Sequence, residues 1–370
     1  MNGQWIGQFT GTNTGVAVAD LDDVGTGYAG VVFAYDANIG PRTFAQVEIP
    51  KGKTTFSLQV GLEHLERGTA LVLTPGGLAQ KFPGVQTASH ADTEWQVTPT
   101  QILLKWRTNI GTNGDGWMVK SQQQNPSGLA PLSDVKTWEE FKRFALALEP
   151  SRFVFRGHEK STWRLRTAFH RTGRANLMKF MTQDVRALHR HLSGLTTHHF
   201  NLNDQLDYAA FLNLAQHHGY PTPILDWTHS PFVAAYFAFK DLRKDNFGAD
   251  QKVRVLILDV GEWNKKERAQ VLMPGFLHMT MLEPLPINNP RVLPQQSISS
   301  VTNVDDLETY VGEIENRAGK QYLSAIDLHV GERRTVMQDL ALMGITAGSL
   351  FPGLDGACLQ LKERFFDLDD

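Results

Sequence analysis

The feature that most constrains the fold of this chain is a change in residue pattern near residue 120. From Gly3 to Lys120, short runs rich in β-branched and aromatic residues alternate with turn segments such as GTNTG, DDVGTG and TNGDG. Many short strands at this spacing are typical of an antiparallel β-sandwich or barrel. The region contains no clear fixed-period repeat, which disfavours a propeller. The sequence therefore predicts a β-rich recognition module over residues 1–120.

A polar segment follows this module. Residues 121–132 read SQQQNPSGLAPL, a glutamine-rich stretch interrupted by two prolines. Such a composition favours an exposed linker, because it offers few apolar groups to bury and proline interrupts regular structure. We place the domain boundary here and expect a second domain over residues 133–370.

The second domain combines helical and strand patterns. Thr137 and Glu140 have the spacing of a capping box, and Asp204 can cap a later helix. Residues 174–192 carry apolar side chains at helical spacing and predict one long amphipathic helix. Residues 252–260, KVRVLILDV, predict a buried central strand. The fold class expected for the whole chain is α+β, with an antiparallel β-sandwich or barrel followed by a mixed α/β domain.

The charge and cysteine content exclude several classes of protein. The chain has 36 Lys and Arg against 39 Asp and Glu, a net charge of −3. This balance gives no strong signal for nucleic acid or for an anionic membrane surface. The single cysteine, Cys358, excludes an internal disulfide framework and a cysteine-rich metal site. With no run of about 18 apolar residues and no signal-peptide pattern at the N-terminus, we expect a cytoplasmic protein.

Metal-binding motifs are weak in this sequence. The segment from Asp20 resembles the start of an EF-hand loop, but its twelfth position is Val31, where a glutamate is needed. The paired histidines, such as His217 and His218, would point to different sides of a helix. We expect no metal site.

Three segments have the composition of a ligand site rather than of ordinary core. In the first, Arg156 and Gly157 end a short apolar strand; an arginine there can bind phosphate with two parallel donors. The second, residues 215–231, combines polar side chains, Trp227 and a helix start, which attracts anions. The third, residues 289–296, contributes another arginine and two glutamines.

These segments resemble the FRG domain family, which takes its name from the tripeptide Phe155-Arg156-Gly157. The stretches FRGHEKSTWRLRTAFHR, LAQHHGYPTPILDWTHSPFVAAYFAF, NPRVLPQQS and GITAGSLFPGLDGACLQL follow that family's pattern in order over roughly residues 150–365. The resemblance implies an FRG domain over residues 133–370. The family has no settled general activity, so the resemblance implies homology more than a reaction.

The order of these parts is also similar to that of ADP-ribosyltransferases with an arginine, a serine and a glutamate in the active site. That similarity implies that Arg156 binds the phosphates of NAD and that Thr228 and Ser230 shape the nicotinamide-ribose pocket. A glutamine lacks the negative charge that stabilises an oxocarbenium ion. Gln295 and Gln296 occupy the place of the glutamate, and Asp226 could supply the charge instead.

The sequence thus predicts a set of site residues with competing roles. The predicted catalytic residues are Asp226 and Gln296. The predicted cofactor-binding residues are Arg156, Gly157, Gln216, His217, Trp227, Thr228, Ser230, Arg291 and Gln295. Arg156 could instead form a structural ion pair with Asp226, and Trp227 could belong to the core.

The leading functional hypothesis is a protein that binds a nucleotide-type small molecule, with NAD as its cofactor, as an ADP-ribosyltransferase-like or NAD-consuming enzyme. A toxin or an antiphage defence effector would suit the two-domain arrangement, with residues 1–120 available to a protein partner. The alternative is a non-enzymatic module that senses a nucleotide or binds a protein. A metal-dependent phosphodiesterase or nuclease ranks last, because it would need clustered carboxylates. We expect no membrane partner.

Overall fold

The computed structural model describes residues 1–37, 41–66, 72–122, 125–242, 248, 250–266 and 276–367. Two antiparallel sheets organise them. The first belongs to residues 1–120, and the second is surrounded by helices in the remainder of the chain. The α+β fold class expected from the sequence is confirmed. No helix within these ranges is both long and apolar enough to cross a membrane.

The first sheet is an up-and-down barrel that is nearly closed. Its elements are β1 (Gly3–Gly11), β2 (Gly15–Asp23), β3 (Gly27–Asp36), β4 (Arg42–Pro50), β5 (Thr55–Gly61), β6 (Glu63–Leu65), α1 (Pro75–Lys81), β7 (His90–Val97), β8 (Gln101–Thr108) and β9 (Asn113–Lys120). The strand order around the barrel is β5-β7-β8-β9-β1-β2-β3-β4-β6. Only Leu62 separates β5 from β6, so one bent segment pairs with β7 through its first part and with β4 through its second. Of the two architectures that the sequence left open, the structure therefore has the barrel.

The second sheet consists of β10 (Phe153–His158), β11 (Ile224–Thr228), β12 (Lys252–Asp259), β13 (Met279–Leu282), β14 (Ser297–Thr302) and β15 (Leu323–His329). Its strand order is β13-β14-β11-β10-β12-β15. The helices are α2 (Trp138–Ala147), α3 (Ala168–Arg171), α4 (Leu177–Lys179), α5 (Val185–Leu192), α6 (Gln205–His217), α7 (Pro231–Phe239), α8 (Val260–Lys266), α9 (Leu307–Ala318), α10 (Arg333–Leu342), α11 (Ala347–Leu350) and α12 (Leu354–Lys362). Apolar side chains pack on both faces of the sheet, with α7 and α10 on one face and α9 on the other.

Local sequence signals locate the helix ends well. The capping box of Thr137 and Glu140 forms at the start of α2. Asp204 caps α6, and Gly219 follows that helix with φ +84°. The helix expected over 174–192 begins later, as α4, and continues through a π turn, Phe180–Asp184, into α5. Its start is displaced because the segment before it is held by the barrel.

The segment joining barrel and second sheet is pinned by hydrogen bonds. The backbone N–H groups of Ser127 and Leu132 donate to the carbonyls of Thr162 and Ala325, at 2.9 and 2.8 Å. The buried carboxylate of Glu308 accepts from the Ser127 hydroxyl at 3.0 Å and from the backbone of the next residue at 3.2 Å. These bonds fix the second half of the polar segment against the second domain.

One wall of the barrel packs against the second domain. Outward-facing side chains of β2 to β4, Val18, Phe33 and Phe44 among them, form one apolar cluster with Met178 and Leu277. Burial of this apolar surface stabilises the contact between the two parts.

Gln4 and Asp20 belong to a hydrogen-bonded network in the same interface. The amide of Gln4 donates to Asp20 at 2.9 Å and to the Asn303 carbonyl at 2.7 Å. Its oxygen accepts from the backbone N–H of Asp305 at 3.0 Å. Burial of the side chain, together with the nearby carboxylates of Asp22 and Asp305, raises the pKa of the Asp20 carboxyl to about 8, although the hydrogen bond from Gln4 acts in the opposite direction. Asp20 therefore holds a proton at neutral pH.

This protonation makes stability depend on pH. Between the unfolded value of 3.8 and the folded value of about 8, the native state binds a proton that the unfolded chain lacks. Stability therefore falls as the pH rises through this interval. Burial lowers the pKa values of several histidines, and their effect on stability has the opposite sign: stability rises with pH, but only below their ordinary pKa of 6.5. The interval from pH 6.5 to 8 thus isolates Asp20 from these histidines.

We expect Asp20→Asn to remove this dependence. Wild type should lose up to about 2 kcal/mol of unfolding free energy relative to the variant between pH 6.5 and 8, because one pKa unit corresponds to about 1.4 kcal/mol. Denaturant unfolding of both proteins at the two pH values measures the difference. Asp115→Asn, an exposed position on β9, is the matched control. Parallel pH profiles for wild type and Asp20→Asn would contradict the assignment.

Candidate functional site

A cavity lies where the second sheet splits. Within the described strands, β10 pairs with β11 only between Phe155 and Thr228, whereas β10 pairs with β12 along its whole length. Beyond Phe155 the two strands separate, and a cavity of about 310 Å³ occupies the gap. Several predicted site residues line it: Arg156, Gly157, His217, Asp226, Trp227, Thr228 and Gln295. The split sheet is therefore what brings the first two sequence segments together.

Arg156 is a half-buried cation that lines this gap. Its Nη1 donates to the backbone carbonyl of Asp226 at 2.5 Å, and its Nε donates to Nε2 of His158 at 3.3 Å. Burial lowers the pKa of the guanidinium to about 10, and the charge of Asp226 offsets this only in part. Among the described residues no carboxylate forms an ion pair with Arg156. A partly buried guanidinium without an ion-pair partner is costly and favours an anionic ligand.

Arg171 brings a second guanidinium to the same cavity. It is the last residue of the short helix α3. Burial lowers the pKa of Arg171, and the positive charge of Arg166 lowers it further. Within the part of the chain that the structure describes, its side chain has neither a hydrogen-bond acceptor nor an ion-pair partner, whereas Arg166 binds Asp305 at 2.7 Å. The cavity wall thus carries two guanidiniums that form no ion pair with any described carboxylate, whereas Lys240 in the same wall pairs with Asp241.

Asp226 supplies a carboxylate to the cavity. Its Oδ2 accepts from the side-chain amide of Gln216, whose own oxygen accepts from the hydroxyl of Thr222. Its Oδ1 is buried and has no hydrogen-bond partner among the described residues, and the same holds for the hydroxyl of Ser297 in the cavity wall. Gln216 therefore positions a carboxylate that retains one free oxygen. The structural alternative of an Arg156–Asp226 ion pair does not form, because the arginine binds the Asp226 backbone instead.

Three predicted residues have side chains occupied by structural hydrogen bonds. The hydroxyl of Thr228 donates to the Gln295 carbonyl at 2.7 Å, and the Gln295 amide donates to the Leu350 carbonyl at 3.0 Å. The indole of Trp227 donates to the hydroxyl of Ser300 at 2.9 Å and is 2% exposed. These side chains hold the floor of the cavity in place.

Other predicted residues lie behind the cavity or away from it. Ser230 is the N-cap of α7, where its hydroxyl accepts from the Val233 N–H at 3.2 Å. Arg291 donates to the carbonyl of His217 at 3.2 Å, so it supports that residue from outside the wall. His217 itself lines the cavity, and burial lowers the pKa of its ring, which is therefore neutral.

Gln296 is exposed and is not in the cavity wall that contains Arg156 and Asp226. It has a positive φ of +46°, and its backbone carbonyl accepts from His229 at 3.0 Å. The turn at this residue places the two neighbouring glutamines in different environments.

Gly157 is explained by packing rather than by ligand contact. A Cβ atom at this position would lie 2.1 Å from the Ala234 carbonyl oxygen and 2.7 Å from the Ala238 nitrogen. Both atoms belong to the backbone of α7, which packs directly on β10. Glycine is therefore required for the helix to approach the strand.

The sequence alone assigned no role to several other residues of the cavity, among them His158, Glu159, Trp163 and Arg171. His158 follows Arg156 by two residues on a strand, so alternation alone places both on one face. Burial lowers the pKa of His158 to about 3 and raises that of Glu159. Trp163 is 43% exposed and offers a flat ring at the cavity. No local signal marks Arg171, because its position depends on long-range packing.

Comparison with known proteins gives one match. The FRG domain model matches residues 151–246, which extend from β10 past α7 and include Arg156, Gln216 and Asp226. No curated protein matches this chain, and no solved structure matches it. The resemblance that the sequence suggested is thus confirmed for the part of the domain that builds most of the cavity.

Proposed function

Since residues 151–246 form an FRG domain, we propose that its cavity binds NAD and that the protein is an ADP-ribosyltransferase-like, NAD-consuming enzyme. One observation carries the proposal. The guanidiniums of Arg156, which is half-buried, and of Arg171, which is more exposed, line the same cavity as the carboxylate of Asp226, and none of the described carboxylates forms an ion pair with either arginine.

The charge arrangement suits a pyrophosphate. Arg171 can present two parallel N–H donors to phosphate oxygens, and Arg156 keeps the N–H groups that do not bind Asp226 or His158. Both guanidiniums are partly desolvated, which strengthens the interaction. The volume of about 310 Å³ suits part of a dinucleotide rather than the whole molecule. The exposed ring of Trp163 can then stack on a base that extends past the cavity.

Asp226 is the residue that we expect to take part in the reaction. In the proposed step, the bond between the ribose C1′ and the nicotinamide nitrogen breaks, and nicotinamide leaves with the electron pair. A hydroxyl or water oxygen forms the new bond to C1′, and its proton passes to the carboxylate or to solvent. A nearby negative charge stabilises the oxocarbenium-like ribose during this exchange. The Asp226 carboxylate can supply this charge, and its Oδ1 has no hydrogen-bond partner among the described residues.

A second candidate function is nucleotide sensing without turnover. It is favoured by the commitment of Ser230 and Thr228 to structural hydrogen bonds and by the exposed position of Gln296. The same arginines would bind the ligand in both cases. Release of nicotinamide distinguishes the two functions.

Calorimetric titration with NAD tests the binding step. We expect wild type to bind one NAD per chain and Arg156→Ala to bind roughly tenfold to a hundredfold more weakly, since hydrogen bonds to charged groups contribute about 1.5 to 3 kcal/mol. Arg190→Gln, at an exposed position of α5, is the matched control and should bind like wild type. Circular dichroism checks that each variant is folded. Equal affinity of wild type and Arg156→Ala, or no binding by wild type, would contradict the proposal.

A further inference from the structure

The barrel contains a second cavity, separate from the cavity of the FRG domain. It has a volume of about 350 Å³ and lies among the inward-facing side chains of the barrel strands. We propose that the barrel binds one small, predominantly apolar molecule in this cavity. This inference does not depend on the proposed reaction with NAD.

The cavity exists because small residues face the middle of the barrel. Ala17, Ala34, Ala45, Ala91 and Gly116 lie on five different strands and line it. A barrel of about eight strands has an interior that is either filled by side chains or large enough for one small ligand. Small residues at these positions leave the ligand-sized space.

The barrel is filled at one end only. At the end where β1, β5 and β8 begin, the interior is packed by Trp5, Leu21, Ile49, Val97 and Ile102, each less than a tenth exposed. This plug closes the cavity on that side. A ligand must therefore enter from the opposite end.

The opposite end carries polar side chains beside the apolar Val85 and Ile110. Asn13 on the connection between β1 and β2, Gln86 before β7, and Thr112 between β8 and β9 line the cavity at this end. They provide hydrogen-bonding groups for one end of a ligand. The arrangement suits a molecule with an apolar body and a polar end.

Much of the cavity wall is apolar, and several of its polar groups already have hydrogen-bond partners. Trp95 and Trp106 contribute aromatic surface. The hydroxyl of Thr93 accepts from the Trp95 indole at 2.8 Å and donates to the Leu58 carbonyl at 2.7 Å. Burial lowers the pKa of His64, so its ring is neutral. Since these groups need no further partner, an apolar ligand body leaves none of them unpaired.

Binding of N-phenyl-1-naphthylamine, a neutral apolar fluorophore, tests this inference in the full chain. We expect saturable fluorescence enhancement with one probe per chain, accompanied by quenching of tryptophan emission, because Trp95 and Trp106 line the cavity. Ala45→Phe should reduce affinity roughly tenfold or more, because an added ring fills the space that the probe needs. Val119→Phe adds the same ring on the outer face of β9, at a residue 46% exposed, and should bind like wild type.

A milder variant keeps the test valid if Ala45→Phe does not fold. Ala17→Leu fills part of the same cavity and should also weaken binding, with folding checked by circular dichroism. The inference is overturned if wild type shows no saturable binding. It is equally overturned if the folded cavity-filling variants bind the probe as tightly as Val119→Phe does.

Discussion

Replacing Asp226 by asparagine should lower the rate of nicotinamide release from NAD by about a hundredfold or more, as expected when a group that stabilises transition-state charge is removed. Asparagine keeps the size of the side chain and an oxygen that accepts from Gln216. It loses the negative charge beside the ribose. The affinity for NAD should remain similar, because the two arginines provide the phosphate contacts.

Chromatographic measurement of nicotinamide, together with calorimetry on the same samples, separates the two effects. Asp115→Asn makes the identical chemical change on the exposed face of the barrel and should leave turnover unchanged. Full turnover by Asp226→Asn would exclude a catalytic role for this carboxylate. A loss of NAD affinity equal to the loss of turnover would make Asp226 a binding or structural residue.

The second large effect concerns stability. Arg254 on β12 and Asp327 on β15 are directly opposite each other, and their side chains are 4% and 9% exposed. Two hydrogen bonds of 2.7 and 2.9 Å join them. Arg254 also donates to the Ser127 hydroxyl at 2.6 Å and to the Leu129 carbonyl at 3.0 Å. This buried pair therefore secures the connecting segment to the sheet.

Asp327→Ala should destabilise the protein by about 3–5 kcal/mol, because it leaves a buried guanidinium without its countercharge. Chemical denaturation of the full chain, followed by tryptophan fluorescence, measures this loss. The double variant Arg254→Leu/Asp327→Leu should recover most of it, since replacing both charges removes the unpaired cation. A stability of Asp327→Ala within about 1 kcal/mol of wild type would contradict this account, because surface pairs have effects of that size.

Much of the fold follows from local signals in the sequence. Turn segments such as GTNTG and DDVGTG separate the barrel strands as predicted, and the caps at Thr137 and Asp204 mark real helix starts. The segment TNGDG, which was also predicted as a turn, lies mostly within β9. Barrel closure could not be predicted. It depends on the bend at Leu62, which lets one segment pair with two different strands. Such a pairing is a property of the whole sheet and has no short-range signature.

Part of the site could be predicted, because some of its residues lie on neighbouring strands. Arg156 and Asp226 come together because β10 and β11 are neighbours. Gln216 was assigned to the ligand, yet its amide holds the Asp226 carboxylate, a role that requires knowing how α6 packs. The positions of Arg171 and Gln296 could not be predicted from the sequence. A short helix and a single positive φ decide their positions, and neither can be inferred from residue spacing.

The most direct test of the central claim is a crystal structure of Asp226→Asn with NAD, since this variant should bind NAD without consuming it. The account predicts the pyrophosphate within hydrogen-bond distance of Arg156 and Arg171, with the nicotinamide ribose beside residue 226. NAD bound elsewhere on the chain, or a cavity between β10 and β11 that stays empty at saturating NAD, would contradict it.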